Sequence, residues 1–216
     1  GGSKQTRHVD GLADALRFGH DEKPRLVHRL DKDTSGILVL ARHRAAASAL
    51  TEAFRHRETR KIYWAAVAGV PAPKSGTIKY GLVKSMGHGA KGAGEKMHCV
   101  HPRDVASVEG AKRALTDYAV LETAGQRTSW CALIPITGRT HQLRVQTAQH
   151  GHPILGDRTY GDFEFNKAVG SARGFKRLFL HAYRTEVSFP WQGETVKFSA
   201  TAPMPAEFEE ALGEDA

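Results

Sequence analysis

The most informative stretch of this chain is His28-Arg29-Leu30-Asp31-Lys32-Asp33-Thr34-Ser35-Gly36, which runs directly into Ile37-Leu38-Val39-Leu40-Ala41. The five consecutive apolar residues over 37–41 predict a buried strand, and the polar run before them predicts a loop. Asp31 is therefore expected in a loop that leads into the core. Rigid elements often carry catalytic groups on such loops, but Asp and Ser also favour ordinary turns because their side chains bond to nearby backbone. Taken alone, the stretch leaves both interpretations open.

The rest of the chain contains both strand and helix patterns. The predicted elements, in chain order, are a strand over 37–41, a helix over 44–57, a strand over 60–69, a hairpin of strands over 113–123 and 128–136, a helix over 140–150, strands over 177–182, 184–189 and 194–199, and a helix over 205–212. The glycine- and proline-rich segment 71–110 is predicted to form loops and a short hairpin. We therefore predict one mixed α/β (α+β) domain, with a largely antiparallel sheet flanked by helices and loops.

Composition restricts the classes of function. The 216 residues carry a net charge of +8 with a pI near 9.6, which favours an anionic partner such as nucleic acid. No apolar run approaches the roughly 20 residues that a membrane-spanning helix needs, so we predict no membrane association. Cys99 and Cys131 form neither a CxxC pair nor a disulfide framework, and we therefore expect a cytoplasmic protein. A monomer is expected because no coiled-coil pattern is evident.

A second segment, Lys61-Ile62-Tyr63, carries groups that can act on a ligand. Strand alternation puts Lys61 and Tyr63 on one face. A tyrosine in this position can stack on a base and offer its hydroxyl as a proton carrier. It can equally well pack within a sheet, so this segment alone is a weak signal.

A third segment reads Gly138-Arg139-Thr140-His141-Gln142-Leu143-Arg144-Val145 and is followed by His150-Gly151-His152-Pro153-Ile154-Leu155-Gly156-Asp157. Helical spacing puts His141 and Arg144 on one face. An arginine there can pair with a carboxylate, keeping it ionised and oriented. An ordinary solvated helix with a capping loop would give the same pattern.

Other chemistries have weaker support in the sequence. The twelve histidines include no HExxH or Cys/His ligand spacing, so no metal site is predicted. A hydrolase built on Ser35 is conceivable, but the chain lacks a G-x-S-x-G element. The glycines at 87–94 are not closed by Gly-Lys-Ser/Thr, which argues against a phosphate-binding loop.

Taken together, the three segments resemble the RluA family of pseudouridine synthases. The stretches that carry the resemblance are residues 27–36, 61–63, 138–145 with 152–157, and 178–182. They occur in the order seen in the family and extend from about residue 26 to 205. The nearest branch is the RluC/RluD type, which modifies uridines in large-subunit ribosomal RNA.

The resemblance implies a catalytic role for three residues. It places the family's catalytic aspartate at Asp31, its active-site tyrosine at Tyr63, and the arginine that pairs with the aspartate at Arg144. Members of the family need neither a cofactor nor a metal, so none is expected here.

The resemblance also implies contacts with the substrate. Arg29 would enter the RNA as the target base leaves the stack, and Leu180, or Leu178, would pack beside that base. The remaining residues expected to contact RNA are His28, Thr34, Arg139 and His141.

Two departures from the family pattern are evident. The family usually has a histidine where this chain has Gln146, a change expected to affect helix packing or RNA contact more than the chemistry. The family's upstream strand and the S4 RNA-binding module that often precedes it are not found before Gly1. We therefore expect residues 1–216 to form a single pseudouridine synthase catalytic domain without them.

The expected function is that of an RNA pseudouridine synthase. It would flip specific uridines out of the RNA, with large-subunit ribosomal RNA as the expected substrate, and isomerise them through an essential aspartate. Two alternatives remain open: a transfer RNA pseudouridine synthase, and a non-catalytic RNA-binding or ribosome-assembly protein of the same fold.

Overall fold

The fold is organised around β4 (Arg60–Ala68), which lies at the centre of the main sheet. The computed structural model describes residues 8–56, 58–85, 96–173 and 177–213. β4 pairs antiparallel with β9 (Thr128–Pro135) on one side and with β10 (Leu180–Trp191) on the other. The second half of β4 is buried because Ala65, Ala66 and Val67 pack in the main core cluster, and Ala65 is fully inaccessible to solvent. The strand predicted over 60–69 is confirmed.

The main sheet extends outward from β4 in both directions. Beyond β9 lie β8 (Thr116–Ala124) and then β5 (Ser75–Ile78), and beyond β10 lies β11 (Glu194–Thr201). Within the described residues all of these pairings are antiparallel. The predicted hairpin is confirmed, since β8 and β9 meet at a turn in which Gly125 has a φ of +59°. The mixed α+β class with a largely antiparallel sheet is therefore correct.

The strand after Gly36 differs from its prediction. Of residues 37–41, only Leu40–Ala41 form a strand, β3, which pairs with β1 (Arg25–Leu26). The preceding β2 (Ser35–Gly36) instead pairs parallel with β10. The run changes partners in between, because the N–H of Ile37 donates to the carbonyl of Ala182 while that of Val39 donates to the His28 ring. A single strand over 37–41 was therefore the wrong prediction.

The strands predicted over 177–182 and 184–189 are one strand. β10 runs through both, with a bulge at Tyr183 where the pairing to β4 shifts by one residue. A bulge adds one residue to one strand of a pair. Ala182 and Thr185 consequently oppose Tyr63 and Lys61, and they share the same face of the sheet.

Helices cover parts of this sheet. The helix predicted over 44–57 is α2 (Arg44–Arg55), whose Leu50 and Ala53 pack with Val187 and Phe189 of β10. The helix predicted over 140–150 is α3 (Gln142–Gln149), which ends before Gly151 at a φ of +92°. The other described helices are α1 (Val9–Leu12), which leads into a 3₁₀ turn over Ala13–Leu16, α4 (Phe163–Arg173) and the predicted C-terminal helix α5 (Ala206–Gly213).

Two segments complete the description. The region 71–110 contributes β5 and the predicted short hairpin, formed by β6 (Gly81–Lys84) and β7 (Met97–Val100); residues 86–95 lie outside the described residues. The sequence pattern predicted no helix where α4 lies. Among the helices described here, none is long and apolar enough to cross a membrane.

Candidate active site

A cleft of about 140 Å³ lies where the loop after His28, the strand β4 and the turn before α3 meet. The lining residues that the sequence had predicted are Arg29, Asp31, Thr34, Tyr63, Arg139 and Leu180. Sites for drug-sized ligands usually enclose roughly 300–1,000 Å³. The cleft is smaller than that, so its size fits one planar ring better than a large ligand.

The loop that carries Asp31 is held against β10. The N–H of Thr34 donates to the carbonyl of Asp31 at 3.0 Å, which closes a turn. Ser35 then pairs with His181, both through the parallel bridge and through a 2.8 Å contact between its Oγ and the histidine Nδ1. The other ring nitrogen, Nε2, lies 3.2 Å from the carbonyl of Ala202, so Nε2–H donates there while Nδ1 accepts from Ser35. This contact anchors the loop, and it accounts for the serine and histidine that a hydrolase interpretation would have used.

Gly36 allows that close approach. Its φ is +113°, and a Cβ at this position would lie 2.2 Å from the carbonyl oxygen of Ala182. Only glycine combines this backbone conformation with such a distance. The glycine that ends the Asp31 motif therefore lets the loop dock on the sheet.

Tyr63 and Leu180 form an apolar part of the cleft. Across the β4–β10 pair, Leu180 opposes Ala65 and Ala182 opposes Tyr63, so the tyrosine ring and the leucine side chain are diagonal neighbours on one face. Burial, with a further contribution from the charge of Asp31, raises the pKa of Tyr63 well above its usual range. Tyr63 is therefore a neutral phenol at working pH, suited to stacking and hydrogen bonding rather than to acting as a phenolate base.

Arg144 is bound to a different carboxylate from the one predicted. Its Nε and one terminal nitrogen each lie 2.9 Å from an oxygen of Asp157, which makes a bidentate, buried ion pair. No ion pair joins Arg144 to Asp31 within the described residues. The direct pair that the resemblance implied is therefore absent from this structure, and Asp157 takes the place of Asp31 as the partner of Arg144. Burial opposes the charge of Arg144, but Asp157 and, more weakly, Asp31 raise its pKa above the ordinary value. Arg144 and Asp31 therefore interact electrostatically at a distance rather than by contact.

Asp157 is the residue that holds Arg144. Its Oδ1 also accepts the backbone N–H groups of Thr159 and Tyr160, at 2.9 and 3.0 Å. Burial alone would raise the pKa of Asp157, but the hydrogen bonds and charge of its partners outweigh this and lower it. Helical spacing places an arginine on a face without choosing among carboxylates, which is why the sequence did not identify this partner.

The two predicted histidines lie outside the cleft. The ring of His28 stacks on Phe54 at 4.2 Å, and its Nε2 accepts the N–H of Val39 at 2.8 Å. Burial, followed by the charge of Lys61, lowers the pKa of His28 to about 4, so it is neutral at working pH. His141 precedes α3 with a φ of +53°, and its Nδ1 lies 2.7 Å from the Tyr160 hydroxyl. Contacts of His28 and His141 with RNA remain predictions.

Two glutamines of α3 fix the wall that faces β4. Gln142 accepts from the hydroxyl of Thr137 and the N–H of Arg139, which orders the turn between them. Gln146 is fully buried; it accepts from the hydroxyl of Thr116 and donates to two backbone carbonyls. The position where the family usually has histidine therefore serves helix packing in this chain.

Lys61 also lines the cleft, although it was not proposed as a site residue. The strand alternation over 61–63 put Lys61 on the same face as Tyr63, and this was the sequence pattern that could have identified it as a site residue. Burial lowers its pKa from the ordinary value. The side chain of Lys61 forms no hydrogen bond or ion pair with any described residue. The same is true of the side chains of Asp31, Thr34 and Tyr63. The cleft therefore presents several polar groups that a ligand can bind.

Comparison with known proteins gives a consistent result. A family profile described as RNA pseudouridylate synthase matches residues 3–149. The chain is 39% identical over 176 residues to the dual-specificity RNA pseudouridine synthase RluA of Escherichia coli, covering 82% of this chain and 72% of that protein. It is 38% identical over 193 residues to the ribosomal large subunit pseudouridine synthase C of Haemophilus influenzae. That match covers 88% of this chain but only 56% of the relative.

Solved structures agree with the sequence matches. The human RNA pseudouridylate synthase domain containing 1 superposes with a TM-score of 0.70 at 32% identity, over 92% of this chain and 76% of that one. The human RNA pseudouridylate synthase domain containing 4 superposes with a TM-score of 0.72 at 29% identity, over 95% of this chain and 80% of that one.

Proposed function

The chain belongs to the RNA pseudouridylate synthase family, and from this premise we propose that it isomerises uridines of large-subunit ribosomal RNA with Asp31 as the catalytic carboxylate. The name of the Haemophilus influenzae relative supports that RNA class. The observation that carries the assignment of Asp31 is its position: the carboxylate lines a base-sized cleft, beside Tyr63 and Leu180, and pairs with no described side chain.

The cleft requires the target base to leave the RNA stack. Extruding a base costs a few kcal/mol, and the cost is smallest in loops and bulges. Tyr63 and Leu180 would bind the faces of the extruded uracil, which offsets part of that cost. Arg29 is exposed at the rim of the cleft, where it would occupy the space that the base leaves.

Binding of the surrounding RNA would rest on charge. Arg29 and Arg139 are both exposed and both line the cleft, and the chain as a whole carries a net charge of +8. Contacts with phosphates release counterions, so affinity should fall steeply as salt rises. Phosphate contacts position an RNA without reading its sequence, which fits exposed arginines on a rim.

Asp31 would act as an ionised carboxylate. It would either attack the sugar at C1′ and form a covalent bond, or remove the proton from C2′. In both routes the bond between C1′ and N1 breaks, the uracil turns, and C5 bonds to C1′ in place of N1. The guanidinium of Arg144, which Asp157 holds near the cleft, would add positive charge beside the reacting groups.

Tritium release from RNA that is labelled at C5 of uridine tests this proposal. The C5 hydrogen is lost only when C5 becomes bonded to the sugar. We expect release by the wild type and by Asp33→Asn, and none by Asp31→Asn. Asp33 is a matched control because it lies in the same loop but outside the cleft lining, and its φ of +69° suits asparagine. Substantial release by Asp31→Asn, with RNA binding intact, would refute the assignment.

A second RNA substrate is the competing candidate. The Escherichia coli relative is named a dual-specificity enzyme, which supports activity on more than one RNA, with transfer RNA as the other class. Mapping pseudouridines in both RNA classes, from cells with and without the gene, would separate these possibilities. A purely RNA-binding role has less support, because the family is one of isomerases. Action as a monomer in the cytoplasm is part of the proposal.

A further inference from the structure

Lys61 is the least exposed cation among the residues that line the cleft. Arg29 and Arg139 also line it, but both are exposed, and the guanidinium of Arg139 donates to the carbonyl of Arg113. Arg144 lies outside the lining and is held by Asp157. Lys61 is only partly accessible, and within the described residues its Nζ makes no hydrogen bond or ion pair.

The side chain of Lys61 extends from β4 across the cleft, so that its Nζ lies near Gly138. Lys61 lies two residues before Tyr63 on the same face of β4, so both side chains leave the floor of the cleft in the same direction. Nζ reaches the opposite wall, where a Cβ built on Gly138 would lie 3.6 Å from it. A planar base lying against Tyr63 would therefore have Nζ near its edge.

The charge of Lys61 is poorly compensated in the free protein. Burial of the ammonium lowers its pKa, which means that its surroundings disfavour the charge. A buried charge without a partner destabilises a fold. Such a cost is usually retained where function requires it, and a negative charge that develops during the reaction would compensate it.

The reaction generates such a charge. When the bond between C1′ and N1 breaks, its electron pair leaves with N1, and the negative charge spreads onto O2 and O4 of the uracil. C1′ is then bonded either to the carboxylate of Asp31 or doubly to C2′, whose proton passes to Asp31. C5 later bonds to C1′, which releases Asp31 or returns its proton to C2′. The C5 proton passes to solvent and N1 gains one, so no atoms or electrons are gained or lost overall.

We propose that Lys61 is a further catalytic residue, whose ammonium donates to a carbonyl oxygen of the flipped uracil and stabilises the uracil anion. The interaction is stronger with the anion than with the neutral base, so it accelerates bond breaking more than it tightens binding. The inference rests on the proposed function, since it requires a uracil in this cleft.

Single-turnover tritium release with saturating enzyme tests the role of Lys61. The variants are Lys61→Met, which removes the charge at similar volume, Lys61→Arg, which keeps a cation, and Lys197→Met, which removes a lysine from the exposed face of β11. Loss of one preorganised donor to a developing anion typically slows a reaction by about 10²–10³-fold. We expect that loss in Lys61→Met, a partial recovery in Lys61→Arg and wild-type rates in Lys197→Met.

Two further measurements exclude a merely structural role. Lys61→Met should bind the RNA within about threefold of wild type in a filter assay, and its Tm should be no lower, because a buried charge has been removed. A rate within about threefold of wild type, a loss that matches a loss of RNA binding, or equal rates for Lys61→Arg and Lys61→Met would each overturn the proposal. Absence of release by the wild type on ribosomal and transfer RNA would instead refute the proposed function, and the role of Lys61 with it.

Discussion

Replacing Asp157 with asparagine tests whether Arg144 depends on this carboxylate. In the folded protein, Oδ2 accepts from Nε of Arg144, and Oδ1 accepts from its terminal nitrogen and from the N–H groups of Thr159 and Tyr160. The amide oxygen of the variant can keep the contacts of Oδ1, but its NH₂ group would then face the Nε–H of Arg144. The substitution therefore removes one charge-assisted hydrogen bond and places two N–H donors against each other. It also leaves the buried guanidinium of Arg144 without its counter-charge.

The expected cost follows from that burial. The side chain of Arg144 is 10% exposed and that of Asp157 is fully buried, so solvent screens the pair little. Removing one partner of a buried ion pair typically costs about 3–5 kcal/mol. In chains of this size each kcal/mol lowers Tm by about 2–4 °C. Asp157→Asn should therefore lower Tm by about 6–20 °C.

Urea unfolding and thermal unfolding at neutral pH measure this cost. Glu186→Gln is the matched control, because Glu186 makes a similar 2.9 Å contact with Arg184 at the surface, where both side chains are at least about a third exposed. We expect the control to change the free energy of unfolding by at most about 1 kcal/mol. A loss below about 1 kcal/mol for Asp157→Asn would refute the reasoning and would indicate that another carboxylate, such as Asp31, compensates Arg144.

Three further predictions concern single residues. His28 is neutral when folded, with a pKa of about 4 against 6.5 unfolded, so the unfolded chain binds the extra proton between these values. Stability should fall by up to about 3 kcal/mol as pH drops from 6.5 to 4, and His28→Gln should flatten that fall in urea titrations across this range; an unchanged pH slope would contradict it. Gly36→Ala should cost about 3 kcal/mol or more and abolish tritium release, because its Cβ would meet the Ala182 backbone. Gly125→Ala, which has a positive φ but no atom within 4 Å of its Cβ, should cost less, and equal losses would count against the contact. Gln146→Leu should cost about 2–4 kcal/mol in thermal unfolding, because it leaves the carbonyls of Tyr80 and Ala114 unpaired; a neutral effect would contradict the buried network.

Regular periodic segments were the most predictable part of the fold. The apolar spacing over 44–57 identified α2, and alternation identified β4 and the β8–β9 hairpin, because in each case one element buries one face. Two predictions were wrong: a single strand after Gly36, and two separate strands on either side of residue 183. Neither an exchange of strand partners nor a bulge changes the apolar pattern of the sequence. The helix α4 was missed: it follows Asp162, whose side chain accepts from the N–H of Phe165, and it contains a glycine that weakens the helical signal.

The candidate site was predictable only in part. The resemblance brought Asp31, Tyr63 and Leu180 together, and the structure places all three in one cleft. Local patterns could not have done so, because these residues lie far apart in the sequence and meet only through strand pairing. The partner of Arg144 and the unpaired state of Lys61 depend on three-dimensional distances, which sequence spacing does not encode.

The central position of β4 also determines how the protein comes apart. Within the described residues, β5 and β11 end the sheet with one unpaired edge each, whereas residues 63–65 of β4 pair with a strand on both sides. Edge elements fray by local opening, but the amides of a central strand exchange with deuterium mainly when the whole domain unfolds. Because Lys61 and Tyr63 sit on that strand, heating should leave the floor of the cleft intact until cooperative melting. The peptide carrying residues 63–67 should then be among the slowest to take up deuterium.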